Sequence, residues 1–132
     1  MLLGAGCGGA GEDAERSGSP PSADLVGPDE FAERMTDPEA VVVNVHVPYE
    51  GEIAGTDLFI PFEEIASSPR LPSERDQPLV LYCRTGNMSA EAASDLVDAG
   101  YTDVTDLEGG MLAWEASGRS IEVDRDRAGA PG

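Results

Sequence analysis

An α/β fold with a mainly parallel central sheet flanked by helices is predicted by three features of this sequence. Ala40-Val41-Val42-Val43-Asn44-Val45 is almost continuously β-branched, as a strand buried on both faces should be. Pro78-Leu79-Val80-Leu81-Tyr82-Cys83 is a second apolar run of strand length. Between residues 23 and 118 such runs alternate with helical stretches, which implies a sheet covered on both faces and right-handed connections.

Taken in order, Asp24-Leu25-Val26 is an edge piece, and Pro28 to Met35 is a helix whose leading proline and acids suit its positive end. The strand at 40–45 follows. Leu58-Phe59-Ile60 is a shorter strand closed by Pro61, and Pro61 to Ala66 reads as a short helix. After the strand at 78–83, Ser89 to Ala99 places Ala92, Ala93, Leu96 and Val97 on one helical face and stops at Gly100. Val104-Thr105-Asp106-Leu107 is the last strand. Gly110 to Ser117 is the last helix, with Met111 and Trp114 read as core residues.

The flanks are poor in core-forming residues. Residues 1–22 and 122–132 consist mostly of Gly, Ser, Pro and charge, too little apolar surface to offset the entropy of ordering, so both are expected to be disordered. The folded domain is then 23–121. Leu2-Leu3-Gly4-Ala5-Gly6-Cys7 is similar to the end of a bacterial lipoprotein signal, with a tether behind it. Only six residues precede Cys7, so either the signal is truncated or the likeness is accidental. A lipidated Cys7 places the protein at the cell envelope on a membrane tether; otherwise it is cytoplasmic.

The net charge of -18, with every basic residue an arginine, disfavours nucleic acid and anionic lipid as partners. Two cysteines make no disulfide framework, and a single histidine without a CxxC disfavours zinc.

The chemistry is expected at Cys83-Arg84-Thr85-Gly86-Asn87-Met88-Ser89. It joins a buried strand to a helix at the carboxyl end of the sheet, where sites form in such folds. Three features favour a thiolate there: inward backbone N–H groups in a loop that Gly86 allows to turn tightly, the helix N-terminus, and the Arg84 cation. A Cys packed inertly in the core is the competing reading, but Arg, Thr, Gly and Asn are odd company for a core filler.

This loop resembles the active-site loop of the rhodanese-type sulfurtransferases. Leu107-Glu108-Gly109-Gly110 with Ala113-Trp114 is similar to that family's closing signature. Val43-Asn44-Val45-His46-Val47-Pro48-Tyr49-Glu50, Gly55 and Ile60-Pro61 are similar to its opening strand and acidic loop. The resemblance covers about residues 23–121 and implies a three-layer rhodanese-like fold. It implies Cys83 as the nucleophile, carrying sulfur as a persulfide, with residues 84–89 as the substrate-binding cradle and no cofactor or metal. The substrates it implies are a small sulfane donor such as thiosulfate and a thiol, cyanide or protein acceptor. A monomer is expected. Within the cradle, the Thr85 and Ser89 hydroxyls either donate to the persulfide or cap the helix, capping being favoured for Ser89, and Arg84 either meets an incoming anion or is solvated at the rim.

The sequence departs from the family's pattern at three places. Met88 stands where many relatives carry a polar residue or Arg, which weakens attraction for an anionic donor. Asn44 and His46 replace an Asp and an Arg, a structural pair that neutral groups can replace by hydrogen bonding. His46 is set aside as a base, because persulfide chemistry needs none. The rim around Glu50-Gly51-Glu52-Ile53 is shortened. Related folds support phosphatases and arsenate reductases, but these need an Arg six places after the Cys, and that position is Ser89. A persulfide carrier without turnover, or an interaction module at the cell envelope, is the alternative from a different class.

Overall fold

A computed structural model describes residues 22–128. The truncated lipoprotein signal, Cys7 and the tether expected over 1–22 lie outside these residues except for Ser22. Five strands form one sheet: β1 (Asp24–Val26), β2 (Val41–Asn44), β3 (Leu58–Phe59), β4 (Leu79–Tyr82) and β5 (Val104–Leu107). Their spatial order is β1-β5-β4-β2-β3, and every pairing is parallel. The helices are α1 (Pro28–Met35), α2 (Asn87–Asp98), α3 (Gly110–Ala116) and the single turn α4 (Arg125–Ala128).

Side chains alternate between faces along a strand, so the sheet divides the core in two. Leu79, Leu81 and Cys83 point to the α2 side, with Val43, Val45, Ala92, Ala93 and Leu96. Val80 and Tyr82 point to the α1 and α3 side, with Phe31, Ile53, Met111 and Trp114. Phe31 meets Tyr82 and Trp114 edge-on, with ring centroids 6.2 and 6.0 Å away. All four residues of β4 are buried, and each large side chain so buried contributes about 1.5–3 kcal/mol. The central strand that ends in Cys83 is therefore firmly held.

Two expectations are corrected. Pro61–Ala66 is not an α-helix: residues 62–64 turn and Ile65–Ser67 is a 3-10 helix. Glu64, Ser67 and Ser68 donate to carbonyls three residues back, and the extended Ser68 is set by Pro69 behind it. The tail is not disordered from residue 122. Glu122 exchanges two backbone hydrogen bonds with Glu52, of 2.7 and 2.8 Å, and Arg127 pairs with the Glu52 carboxylate at 2.8 Å. The Asp124 N–H donates to the Tyr49 hydroxyl, which donates to Glu52. Polar pairing to the 49–52 loop orders a segment too poor in apolar residues to be recognised by burial.

Candidate active site

β4 delivers Cys83 to the carboxyl edge of the sheet, 1 % exposed. The chain then turns through Arg84, Thr85 and Gly86 into α2. Gly86 has φ 108°, a left-handed conformation that a side chain resists, and precedes the first residue of α2. The turn points the Gly86 N–H back at Cys83, donating to Sγ across 2.9 Å. Asn87 and Met88 open α2, whose first N–H groups have no acceptor within the helix and add partial positive charge.

A second loop supports the first. Met111 and Leu112, in the first turn of α3, donate backbone N–H bonds of 2.8 and 3.0 Å to the carbonyls of Cys83 and Arg84. This close docking needs Gly110. A Cβ there would lie 2.5 Å from the Cys83 carbonyl oxygen, and Gly110 has φ 61°.

The predicted residues fall in this loop with different roles. Thr85 and Asn87 are exposed, and Met88 is half-buried, its side chain packed against the α2-side core. Ser89 is not the helix cap: α2 begins two residues earlier, so Ser89 is its third residue, fully buried, with a long 3.4 Å contact from its hydroxyl to the Gly86 carbonyl. Arg84 is half-exposed and held by Glu50, Nη1 to Oε1 at 3.4 Å.

Glu50 also bonds the His46 ring, Nε2 to Oε1 at 3.0 Å. Asn44 holds this rim from below. Its side-chain oxygen accepts the His46 N–H at 3.0 Å and its amide donates to the Gly51 carbonyl at 2.9 Å. Neutral hydrogen bonds thus fix the strand end to the acidic loop. Glu50 belongs to the site through its contacts with Arg84 and His46, although the sequence marks it only as part of the acidic loop and its shortened rim. Its pairing with Arg84, 34 residues on, has no local signature.

Asp106 was also missed. It sits in β5 directly beside Leu81 and on the same face as Cys83. It is 3 % exposed, and Oδ1 has no hydrogen-bond partner among the described residues. Burial pushes its carboxyl from the ordinary 3.8 up to about 6, against the opposing pull of the Ser89 hydroxyl and the Leu107 N–H. The only hint in the sequence is an acid inside an otherwise strand-like run. Among the described residues, no group of His, Cys, Asp and Glu is placed to hold a metal ion, and no helix is long and apolar enough to cross a membrane.

A parallel sheet whose central strand ends in a thiol cupped by the start of a helix defines a class of cysteine-centred α/β domains. The model of the rhodanese-like domain matches residues 23–117, and the chain belongs to that family. It is 33 % identical over 92 residues to the thiosulfate sulfurtransferase GlpE of Pseudomonas syringae, covering 68 % of this chain and 86 % of that protein. It is 38 % identical over 76 residues to the probable adenylyltransferase/sulfurtransferase MoeZ of Mycobacterium tuberculosis. That match covers 55 % of this chain, which spans only 19 % of the longer protein. Among solved structures, a rhodanese-related protein from Thermoplasma volcanium superposes with a TM-score of 0.64 at 27 % identity, covering 76 % of this chain and 99 % of that one. The three-layer fold and the family expected from the sequence both hold.

Proposed function

We propose that the protein is a sulfurtransferase that carries sulfane sulfur on Cys83. The single observation behind this reading is the 2.9 Å hydrogen bond from the Gly86 N–H to Sγ at the junction of β4 and α2. That geometry favours negative charge on sulfur, first on the thiolate and then on the outer atom of a persulfide. In the first half-reaction the Cys83 thiolate attacks the sulfane sulfur of a donor such as thiosulfate. The donor's S–S bond breaks, and sulfite departs with the electron pair. In the second, a thiolate or cyanide attacks the outer sulfur and Cys83 leaves as thiolate. Dividing the transfer lowers the barrier to each step.

The Arg84–Glu50 pair supports a second reading, in which the domain carries a persulfide without efficient turnover of small anions. Glu50 occupies the Arg84 cation beside the loop, so a dianion must compete for it. Intact mass spectrometry after incubation with thiosulfate tests the chemistry common to both readings. One added sulfur atom is expected, removed by reductant and absent in Cys83→Ser. No adduct with thiosulfate or another sulfane donor overturns both. Turnover to cyanide then separates the enzyme from the carrier.

A further inference from the structure

We propose that the cavity between β1 and α2 binds a short aliphatic ammonium compound, with Asp106 as its counter-ion. The cavity measures about 300 Å³, near the small end of small-molecule sites. Leu25, Ala90, Ala93 and Val97 provide apolar walls, and Asp106 and Asp98 provide carboxylates.

The register explains the arrangement. Leu25 in β1 and Leu81 in β4 both pair with Asp106, so the carboxyl shares the α2-side face with them. β1 is a three-residue edge strand, and Leu25 remains 59 % exposed at the mouth of the cavity. The short edge leaves α2 covering a gap rather than a filled core.

A buried carboxyl with an oxygen lacking any partner among the described residues is costly unless something donates to it. The lining selects the donor. No basic residue contributes to the wall among the described residues, and two carboxylates in a protein of net charge -18 repel anions. An inorganic cation needs several oxygens converging on it, and among the described residues no group of His, Cys, Asp and Glu is placed to hold a metal ion. A neutral alcohol brings one O–H donor, whereas an ammonium group brings three and a charge. An alkylammonium matches both the carboxyl and the apolar walls. This site shares the α2 side of the sheet with Cys83, but its ligand class differs from any sulfur donor.

The test is a titration of the full 132-residue chain with n-butylammonium, n-butanol and butyrate, followed through backbone amide NMR shifts. Saturable shifts at Leu25, Ala90, Ala93, Ser94 and Val97 are expected with n-butylammonium. Binding of n-butanol is expected to be weaker by about tenfold or more, and butyrate is expected not to bind. Asp106→Asn should weaken n-butylammonium binding about tenfold or more. Ser94→Leu, an exposed position on the wall, should weaken it by narrowing the cavity while leaving Asp106 intact. Absence of saturable shifts, equal affinity for n-butanol, or undiminished binding in Asp106→Asn overturns the proposal. If Asp106→Asn does not fold, undiminished binding in Ser94→Leu overturns it. None of these measurements reads sulfur transfer, so this site and the Cys83 reaction stand or fall separately.

Discussion

Replacing Asp106 by Asn should change how the stability of the protein depends on pH, in the direction opposite to most carboxylates. A typical acid is held ionised by the fold and stabilises it as pH rises. Burial makes Asp106 favour its neutral form, raising the carboxyl from 3.8 to about 6. Its contribution is therefore fully present below the unfolded-state value and is lost as pH rises through about 6. Each pKa unit is worth about 1.36 kcal/mol, which makes the whole loss about 3 kcal/mol. Roughly half of that has already gone by pH 5, leaving ~1.4 kcal/mol to be lost between pH 5 and pH 8. Asp106→Asn removes the titration. The other carboxylates titrate alike in both proteins, and the fit of the Asn amide does not vary with pH, so both effects cancel in the comparison. Urea unfolding of both proteins at the two pH values measures it. The variant should gain on the wild type by ~1.4 kcal/mol from pH 5 to pH 8, a midpoint change of roughly 0.5–1.4 M. A difference that stays flat, or that falls with rising pH, refutes the claim that burial raises the Asp106 carboxyl.

Three further outcomes follow from the site and its supports. Gly110→Ala drives a Cβ to 2.5 Å from the Cys83 carbonyl at a left-handed φ. It should cost about 2–4 kcal/mol in urea unfolding and lower the yield of persulfide seen by mass. Glu50→Gln frees Arg84 from its carboxylate partner. Persulfide formation from thiosulfate in stopped-flow assays should speed up by roughly threefold to tenfold, with a steeper dependence on salt; no gain would separate Arg84 from donor capture. Tyr82→Phe removes the hydroxyl that accepts the buried Ile53 N–H at 3.0 Å and meets the Thr56 hydroxyl at 2.6 Å. Leaving that N–H unpaired should cost about 1–3 kcal/mol by denaturation while Cys83 still takes up sulfur, since Tyr82 faces the opposite side of the sheet.

Much of the fold and the centre of the site were legible in the sequence because their causes are local. A β-branched run cannot be other than a strand without losing its packing, and Gly100 and Gly118 mark where helices stop. Cys83 followed by a glycine-bearing turn and a helix describes its own geometry: the Gly86 N–H reaches Sγ across three residues. Gly109 and Gly110 were legible as part of a signature, but that α3 docks there on the carbonyls of Cys83 and Arg84 was not. The helix start was misplaced by two residues because Gly86, rather than Ser89, occupies the position before α2. A left-handed glycine serves there without a side-chain hydrogen bond.

What only the tertiary structure decided depends on groups brought together from distant parts of the chain. The pairing of β4 with β5 sets Asp106 beside Leu81 on the Cys83 face, and a slip of one residue would have put Thr105 there instead. The capture of Arg84 by Glu50 depends on where the loop after β2 closes over the end of β4. Residues 122–127 are held by partners at Tyr49 and Glu52, not by anything in their own composition. The sequence by itself determined a parallel α/β domain with a thiol at a strand end. The packing of one strand against another decided which charges surround that thiol, because register and loop closure are set by contacts that no local stretch of residues contains.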